Sequence, residues 1–220
     1  MPKPTFFNLP DDKREQILKI AIDEFADNDY ASASISRIVV RAAIAKGSFY
    51  QYFADKEDLY AYLLDLLASK KSEFLLLDHP DPQHVGVFVY LRWLARAIVA
   101  FELTYPVLSR VGHRAVLAGP FPAAAYRRSR EGAMLFYQRL AELGMRQGDI
   151  AVDLDPEVVA FIFDAILTNL GNYWLQRLVS EGESLPMIQQ PFFDRPEVSD
   201  LFTRTVSILE HGMGRSARHE

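Results

Sequence analysis

The chain has 220 residues, half of them hydrophobic, enough for a sizeable core in one large domain or two small ones. It carries no cysteine, which excludes a disulfide framework and thiolate chemistry. A net charge of −5 argues against a protein that coats nucleic acid over its whole surface.

The opening stretch, MPKPTFFNLPDDKRE, has no apolar core ahead of its charges, so no secretory leader is expected. Residues 11–27 repeat apolar side chains at Ile17, Ala21 and Phe25, flanked by Leu18 and Ile22, which is helical spacing. Asp11 and Asp12 after Pro10 favour a helix start. Ser34 (or Ser32) can cap a short helix over 34–41 that buries Ile35, Ile38 and Val39. Ala42, Ala43 and Ile44 make a turn, and 45–52 is a third helix. Asp55 as cap with Asp58 three residues on opens a fourth helix, running to about Leu76. His79-Pro80-Asp81-Pro82 breaks the chain. Residues 84–105 read as a helix apolar nearly all round, hence central. Pro106, Gly119-Pro120 and Pro122 break the next stretch into an irregular loop. Residues 124–147 form another helix, and Asp155-Pro156-Glu157 starts one that runs to about Val179. A loop over 180–196 leads to a last helix, 197–212. Strand alternation, repeats and low-complexity tracts are absent from the sequence. No run of about 18 uncharged apolar residues occurs, so no membrane span is expected. The richest candidate, 85–99, is interrupted by Arg92 and Arg96. A cytoplasmic location is the expectation.

Charge is distributed unevenly. Residues 11–29 hold Asp11, Asp12, Glu15, Asp23, Glu24, Asp27 and Asp29 against Lys13, Arg14 and Lys19. Residues 32–56 hold Arg37, Arg41, Lys46 and Lys56 against Asp55, a local patch of about +3 suited to phosphate. A helix over 45–52 has two faces. Lys46 and Tyr50 share one, with Gly47 and Gln51 beside them, while Phe49 and Phe53 point the other way, into a core. Gly47 costs about 1 kcal/mol of helix stability against Ala, and its bareness lets the helix approach DNA closely. Lys46 can meet phosphate or guanine, and Gln51 can pair with adenine. Ser48, Tyr50 and Tyr52 can donate hydroxyls to phosphate, and Lys56 adds charge at a helix start. Ser34 and Arg37 on the preceding helix complete the candidate DNA-binding set. Arg41 could equally touch DNA or solvate its helix.

Residues 15–60 resemble the DNA-binding domain of the TetR family of bacterial transcriptional regulators. The similarity is carried by Ile17, Ala21 and Phe25, then Tyr30, Ser34, Ile35 and Ile38. The close match is the block from Ile44 to Phe53, followed by Lys56-Glu57-Asp58-Leu59. Two positions depart from the family: Asp29 and Ala43 stand where it usually has glycine. A left-handed Ala43 would cost roughly 1 kcal/mol relative to Gly. The resemblance implies an all-α homodimer. A three-helix helix-turn-helix head over 1–54 would bind palindromic operator DNA. A larger helical bundle over 55–220 would dimerise and bind an effector. It implies a regulator, most often a repressor, and not an enzyme.

The C-terminal region is rich in aromatic residues at helical positions. They are core-forming, and as a group they suit an apolar pocket for a hydrophobic small-molecule effector. Trp93, Phe101, Tyr105, Phe136, Tyr137 and Phe163 are its candidate lining, with Asn169. His113 joins them because the family often places effector contacts in such a loop. Arg92 and Arg96 share a face that would either clamp an anionic head group or meet solvent. The five histidines lack metal-ligand spacing, and no nucleophile or phosphate-binding motif appears, so neither a metal, a cofactor nor catalytic residues are expected. Small residues between 165 and 172, together with the last helix, would build the dimer interface. A DNA-bound adaptor whose C-terminal domain binds a partner protein is the alternative.

Overall fold

The computed structural model describes residues 1–77, 79–117, 123–180 and 196–213. Every regular element among them is an α-helix: α1 Pro4–Phe7, α2 Asp11–Asp27, α3 Ile35–Arg41, α4 Lys46–Tyr52, α5 Lys56–Leu76, α6 Pro82–Val85, α7 Val87–Thr104, α8 Pro106–Leu117, α9 Ala123–Gln147, α10 Pro156–Ser180 and α11 Pro196–Met213. The all-α class follows, and no helix is long and apolar enough to cross a membrane among the described residues. The chain divides into two compact units. Residues 1–70 with 105–129 form one, and residues 71–104 with 130–220 form the other. The loop over 180–196 lies outside the described residues apart from its two ends.

In the first unit, Phe6, Ile17, Ala21, Phe25, Ile38, Phe49, Phe53 and Leu59 are buried together. Each large apolar side chain contributes about 1.5–3 kcal/mol by leaving water. Helix ends are closed from side chains. Ser34 Oγ accepts from Arg37 N–H at 3.4 Å to cap α3. Asp55 Oδ1 accepts from Asp58 N–H at 2.8 Å at the start of α5, and Asp58 Oδ2 reaches back to Ala54 N–H at 3.0 Å.

α8 corrects the sequence reading, which took residues 106 onward as irregular. Pro106 sits where a helix begins and its missing N–H costs nothing, and Ser109 N–H donates to Tyr105 O at 2.9 Å. α8 packs on α2, with Arg114 Nε donating to Ala26 O at 2.7 Å. His113 is therefore a helical residue, not a loop residue.

In the second unit α7 is central, with α6, α10 and α11 packed on it. Val87, Leu91, Leu94, Ile98, Phe163, Phe202 and Val206 share its core. Gly86, at φ 81, makes the sharp entry into α7 that a side chain would strain. Asp149 then caps α7 from a distant turn, its Oδ2 accepting from Val87 N–H at 2.8 Å. Arg92 and Arg96 bind α11, at 2.5 Å to Glu210 and 2.8 Å to Ser199 Oγ.

Candidate nucleic-acid interface

α3 and α4 are joined by a four-residue turn, Ala42 to Ala45. Ala42 is fully buried, Ala43 adopts φ 50, and Ile44 N–H donates back to Val39 O at 3.0 Å. Lys13 reaches in from α2 to close the turn, donating to Ala42 O at 2.8 Å. The left-handed residue is thus present although the chain supplies no glycine for it.

α4 sorts its side chains as helical spacing requires. Phe49 and Phe53 are buried and pack on each other with centroids 5.6 Å apart. Lys46, Gly47, Tyr50 and Gln51 are exposed, and Ser48 is partly so. A Cβ added to Gly47 would meet nothing within 4 Å, and its φ lies outside the left-handed region. Neither packing nor backbone conformation inside this chain requires glycine there. Among the described residues Lys46 makes no ion pair or hydrogen bond.

The other candidate residues have inward partners. Arg37 Nε and Nη2 donate to Glu24 Oε1 at 2.9 and 2.5 Å, and Nη2 also donates to Ser32 O at 2.7 Å. Glu24 is only 3% exposed and accepts Ser34 N–H at 2.9 Å through the same oxygen. Burial alone would raise the Glu24 carboxyl. The hydrogen bonds from Arg37 and Ser34, with the charges of Arg37 and Arg41, outweigh it and hold Glu24 below its ordinary range. Arg41 pairs with Asp23 at 3.1 Å. Lys56 donates to three carbonyls, Tyr30 O at 2.7 Å, Ala31 O at 3.2 Å and Ala33 O at 2.9 Å, and lies 4.5 Å over the Tyr30 ring. An ammonium has three N–H donors, so all are committed. Tyr52 is half-buried against Phe6. The patch of about +3 counted along the chain is therefore largely matched in space: carboxylates of α2 face Arg37 and Arg41, leaving Lys46 as the cation on the open face of α4.

Sequence reasoning missed the N-terminal arm. Lys3 N–H donates to Tyr52 O at 2.8 Å, Lys3 Nζ to Tyr50 O at 2.7 Å, and Thr5 Oγ1 to Gln51 O. These are the final carbonyls of α4, which a helix cannot satisfy internally. Phe6 anchors the arm 4.8 Å from the Phe53 ring. Pro4 ahead of a Thr and two phenylalanines was the available signal, a proline at a helix start with apolar anchors behind it.

A crystal structure of a TetR family transcriptional regulator from Chloroflexus aurantiacus J-10-FL is 38% identical, at a TM-score of 0.79 over 98% of this chain and 99% of that one. The chain belongs to the TetR family. The family model for bacterial regulatory proteins of the tetR family matches residues 17–63, which span α3, the turn and α4. The HTH-type transcriptional repressor BepR of Brucella suis is 24% identical over 74% of this chain and 80% of its own length. The A-factor receptor protein of Streptomyces griseus is 30% identical over 76% of this chain and 55% of its own length.

The candidate effector residues fall in both units. Tyr105 is exposed and His113 partly buried, both in the first. In the second, Trp93 packs at a tilt 5.4 Å from Tyr90, which lies 6.4 Å from Phe136, itself 5.2 Å from Tyr137. Phe101 packs edge-on to Phe74 at 5.6 Å, and Phe163 is fully buried. Asn169 is exposed and donates to Ala165 O at 2.6 Å within its own helix.

Proposed function

We propose that this TetR-family regulator is a repressor that binds palindromic operator DNA as a homodimer and is released by a hydrophobic small molecule bound in its C-terminal domain. The open face of α4 carries the reading: Lys46, Gly47, Tyr50 and Gln51 are exposed, while the opposite face is locked into the core. A helix held this way suits the major groove, with Lys46 and Tyr50 on phosphate or base edges and Gln51 on an adenine. Ser34, Arg37 and Lys56 act behind it, fixing the helix that carries α4. The proposed head is 1–54, and the remainder holds the effector and the dimer contact.

Two exposed apolar sets support self-association. Val158 and Phe161 on α10 and Ile208 on α11 face outward, Phe161 at 62% and Ile208 at 73% exposure. Large apolar side chains so exposed favour a partner surface. Two heads one helical turn apart then match a palindrome. The aromatic cluster around Trp93, Tyr90, Phe136 and Tyr137 supports an apolar ligand, as does the name of the A-factor receptor relative. Release requires the ligand to bind the DNA-incompetent state more tightly.

Fluorescence anisotropy on duplex DNA from directly upstream of the protein's own gene tests the reading. Wild type should bind tightly with a steep salt dependence, and Lys46→Ala/Tyr50→Ala should not. Equal binding by both proteins would remove α4 from the interface.

A further inference from the structure

The arm ahead of α2 does more than cover the end of α4. A helix leaves its last four carbonyls without internal partners, here those of Phe49, Tyr50, Gln51 and Tyr52. Phe53 N–H takes the first at 2.9 Å. The arm takes the other three: Lys3 Nζ donates to Tyr50 O at 2.7 Å, Thr5 Oγ1 to Gln51 O, and Lys3 N–H to Tyr52 O at 2.8 Å. The C-terminal end of a helix carries partial negative charge, which repels phosphate. At α4 that end is fully capped and carries an ammonium.

Lys3 is held in place. Pro2 and Phe6 are buried on either side of it, while Lys3, Pro4 and Thr5 are exposed. The Phe6 ring lies 4.8 Å from Phe53 and 6.1 Å from Tyr52, so the core that fixes α4 fixes the arm as well. An ammonium has three N–H donors. Among the described residues Tyr50 O is the one acceptor for Lys3 Nζ, and Lys3 makes no ion pair. Two donors therefore face solvent. Arg37 and Arg41 are by contrast paired with carboxylates, and Lys56 has all three donors on carbonyls. Water satisfies an exposed carbonyl as readily as lysine does, so capping alone gives little reason for a charge at this place.

The position of that charge relative to Lys46 is informative. Lys46 opens α4, and Tyr50 stands one turn on, on the same exposed face. At 1.5 Å per residue, the carbonyl held by Lys3 lies roughly 6 Å further along the axis. Two cations with open donors thus bracket the exposed face, one at each end. A major groove about 12 Å wide is walled by phosphates on both sides, within reach of both ends of a helix laid in it.

We propose that Lys3 is a DNA-contacting residue: its ammonium holds Tyr50 O and at the same time binds a backbone phosphate at the C-terminal end of α4, while Lys46 serves the N-terminal end. This rests on the reading of α4 as the groove helix and adds a second anchor for it. The contact is to phosphate, so it sets affinity and the register of α4 in the groove without choosing a base.

The test uses the full-length protein and a duplex that wild type itself enriches from a random-sequence library. Anisotropy is followed against salt for wild type, Lys3→Met, Lys3→Arg, Thr5→Val and Lys46→Ala, with the melting temperature of each as a folding control. Lys3→Met should bind more weakly at about 0.1 M salt, converge on wild type toward about 1 M, and flatten the plot of log Kd against log salt by about 0.9 per head. Lys3→Arg should keep the wild-type slope. Thr5→Val removes a cap but no charge, and its slope should be unchanged. A Lys3→Met line parallel to wild type, whether coincident or displaced to lower affinity at every salt, makes Lys3 a cap alone and overturns the proposal. A slope lost equally in Lys3→Arg or Thr5→Val assigns the effect to the arm's structure and overturns it too. Slope loss in Lys46→Ala with none in Lys3→Met leaves the α4 reading standing and removes this inference, whereas failure of wild type to enrich any duplex removes both.

Discussion

Arg37 of α3 closes on Glu24 of α2, with Nε and Nη2 both within 2.9 Å of one carboxylate oxygen. That oxygen also holds Ser34 N–H at the start of α3. The pair therefore fixes the first helix of the helix-turn-helix against α2, and through the turn it sets the angle of α4.

Glu24→Gln should destabilise the first unit by about 1–3 kcal/mol, because it leaves a hydrogen-bonded cation without its counter-charge. Arg37 is half exposed, which keeps the cost at the lower end. The sign with pH follows from the depressed Glu24 pKa. Its stabilisation is fully present above the unfolded value near 4.5 and is lost as pH falls through the lower folded value. Urea unfolding of both proteins from pH 7 to pH 3 should show the wild-type advantage shrinking only below about pH 4.5.

Lys46 and Lys56 should separate cleanly. Lys46→Ala should leave stability within about 0.5 kcal/mol and flatten the salt dependence of DNA binding by about 1 per head. Lys56→Ala should cost about 1–3 kcal/mol of stability by exposing three carbonyls to loss of their donor, with no comparable change in salt slope. Chemical denaturation beside anisotropy at several salt concentrations reads both; a steep slope loss in Lys56→Ala would place its ammonium on phosphate instead.

Gly47→Ala adds a methyl to open space. The fold should be unchanged or more stable by up to about 1 kcal/mol, while operator affinity falls about ten-fold because the methyl holds α4 off the groove. Retained affinity would mean the groove does not approach Gly47.

Ala43→Gly relieves a left-handed backbone at φ 50 with an exposed methyl as the only loss. Stability should rise by about 0.5–1 kcal/mol, a gain of roughly 2–4 °C in Tm by calorimetry. A fall in Tm would show that the alanine relaxes some other strain in the turn.

Much of the architecture was legible because helices announce themselves locally. Apolar spacing at Ile17, Ala21 and Phe25 marked α2, and Asp155-Pro156-Glu157 marked the start of α10, since both signals act within one or two turns. α8 was not legible, because Pro106 reads equally as a breaker or as a first residue. Its packing on α2, far off in sequence, decides between them.

The sequence by itself determined the helical class, the two-faced character of α4 and the family, since periodicity and a local motif are properties of neighbouring residues. Only the tertiary structure decided which cations remain available to DNA. A charge count along 32–56 cannot see Asp23 and Glu24, which lie on another helix and neutralise Arg41 and Arg37 across it. Nor can it see that Lys56 turns inward to Tyr30, Ala31 and Ala33, or that Lys3 and Thr5 close the end of α4. Coulomb attraction and hydrogen bonding depend on separation in space, and folding sets that separation by burying Phe6, Phe25, Phe49 and Phe53 in one core.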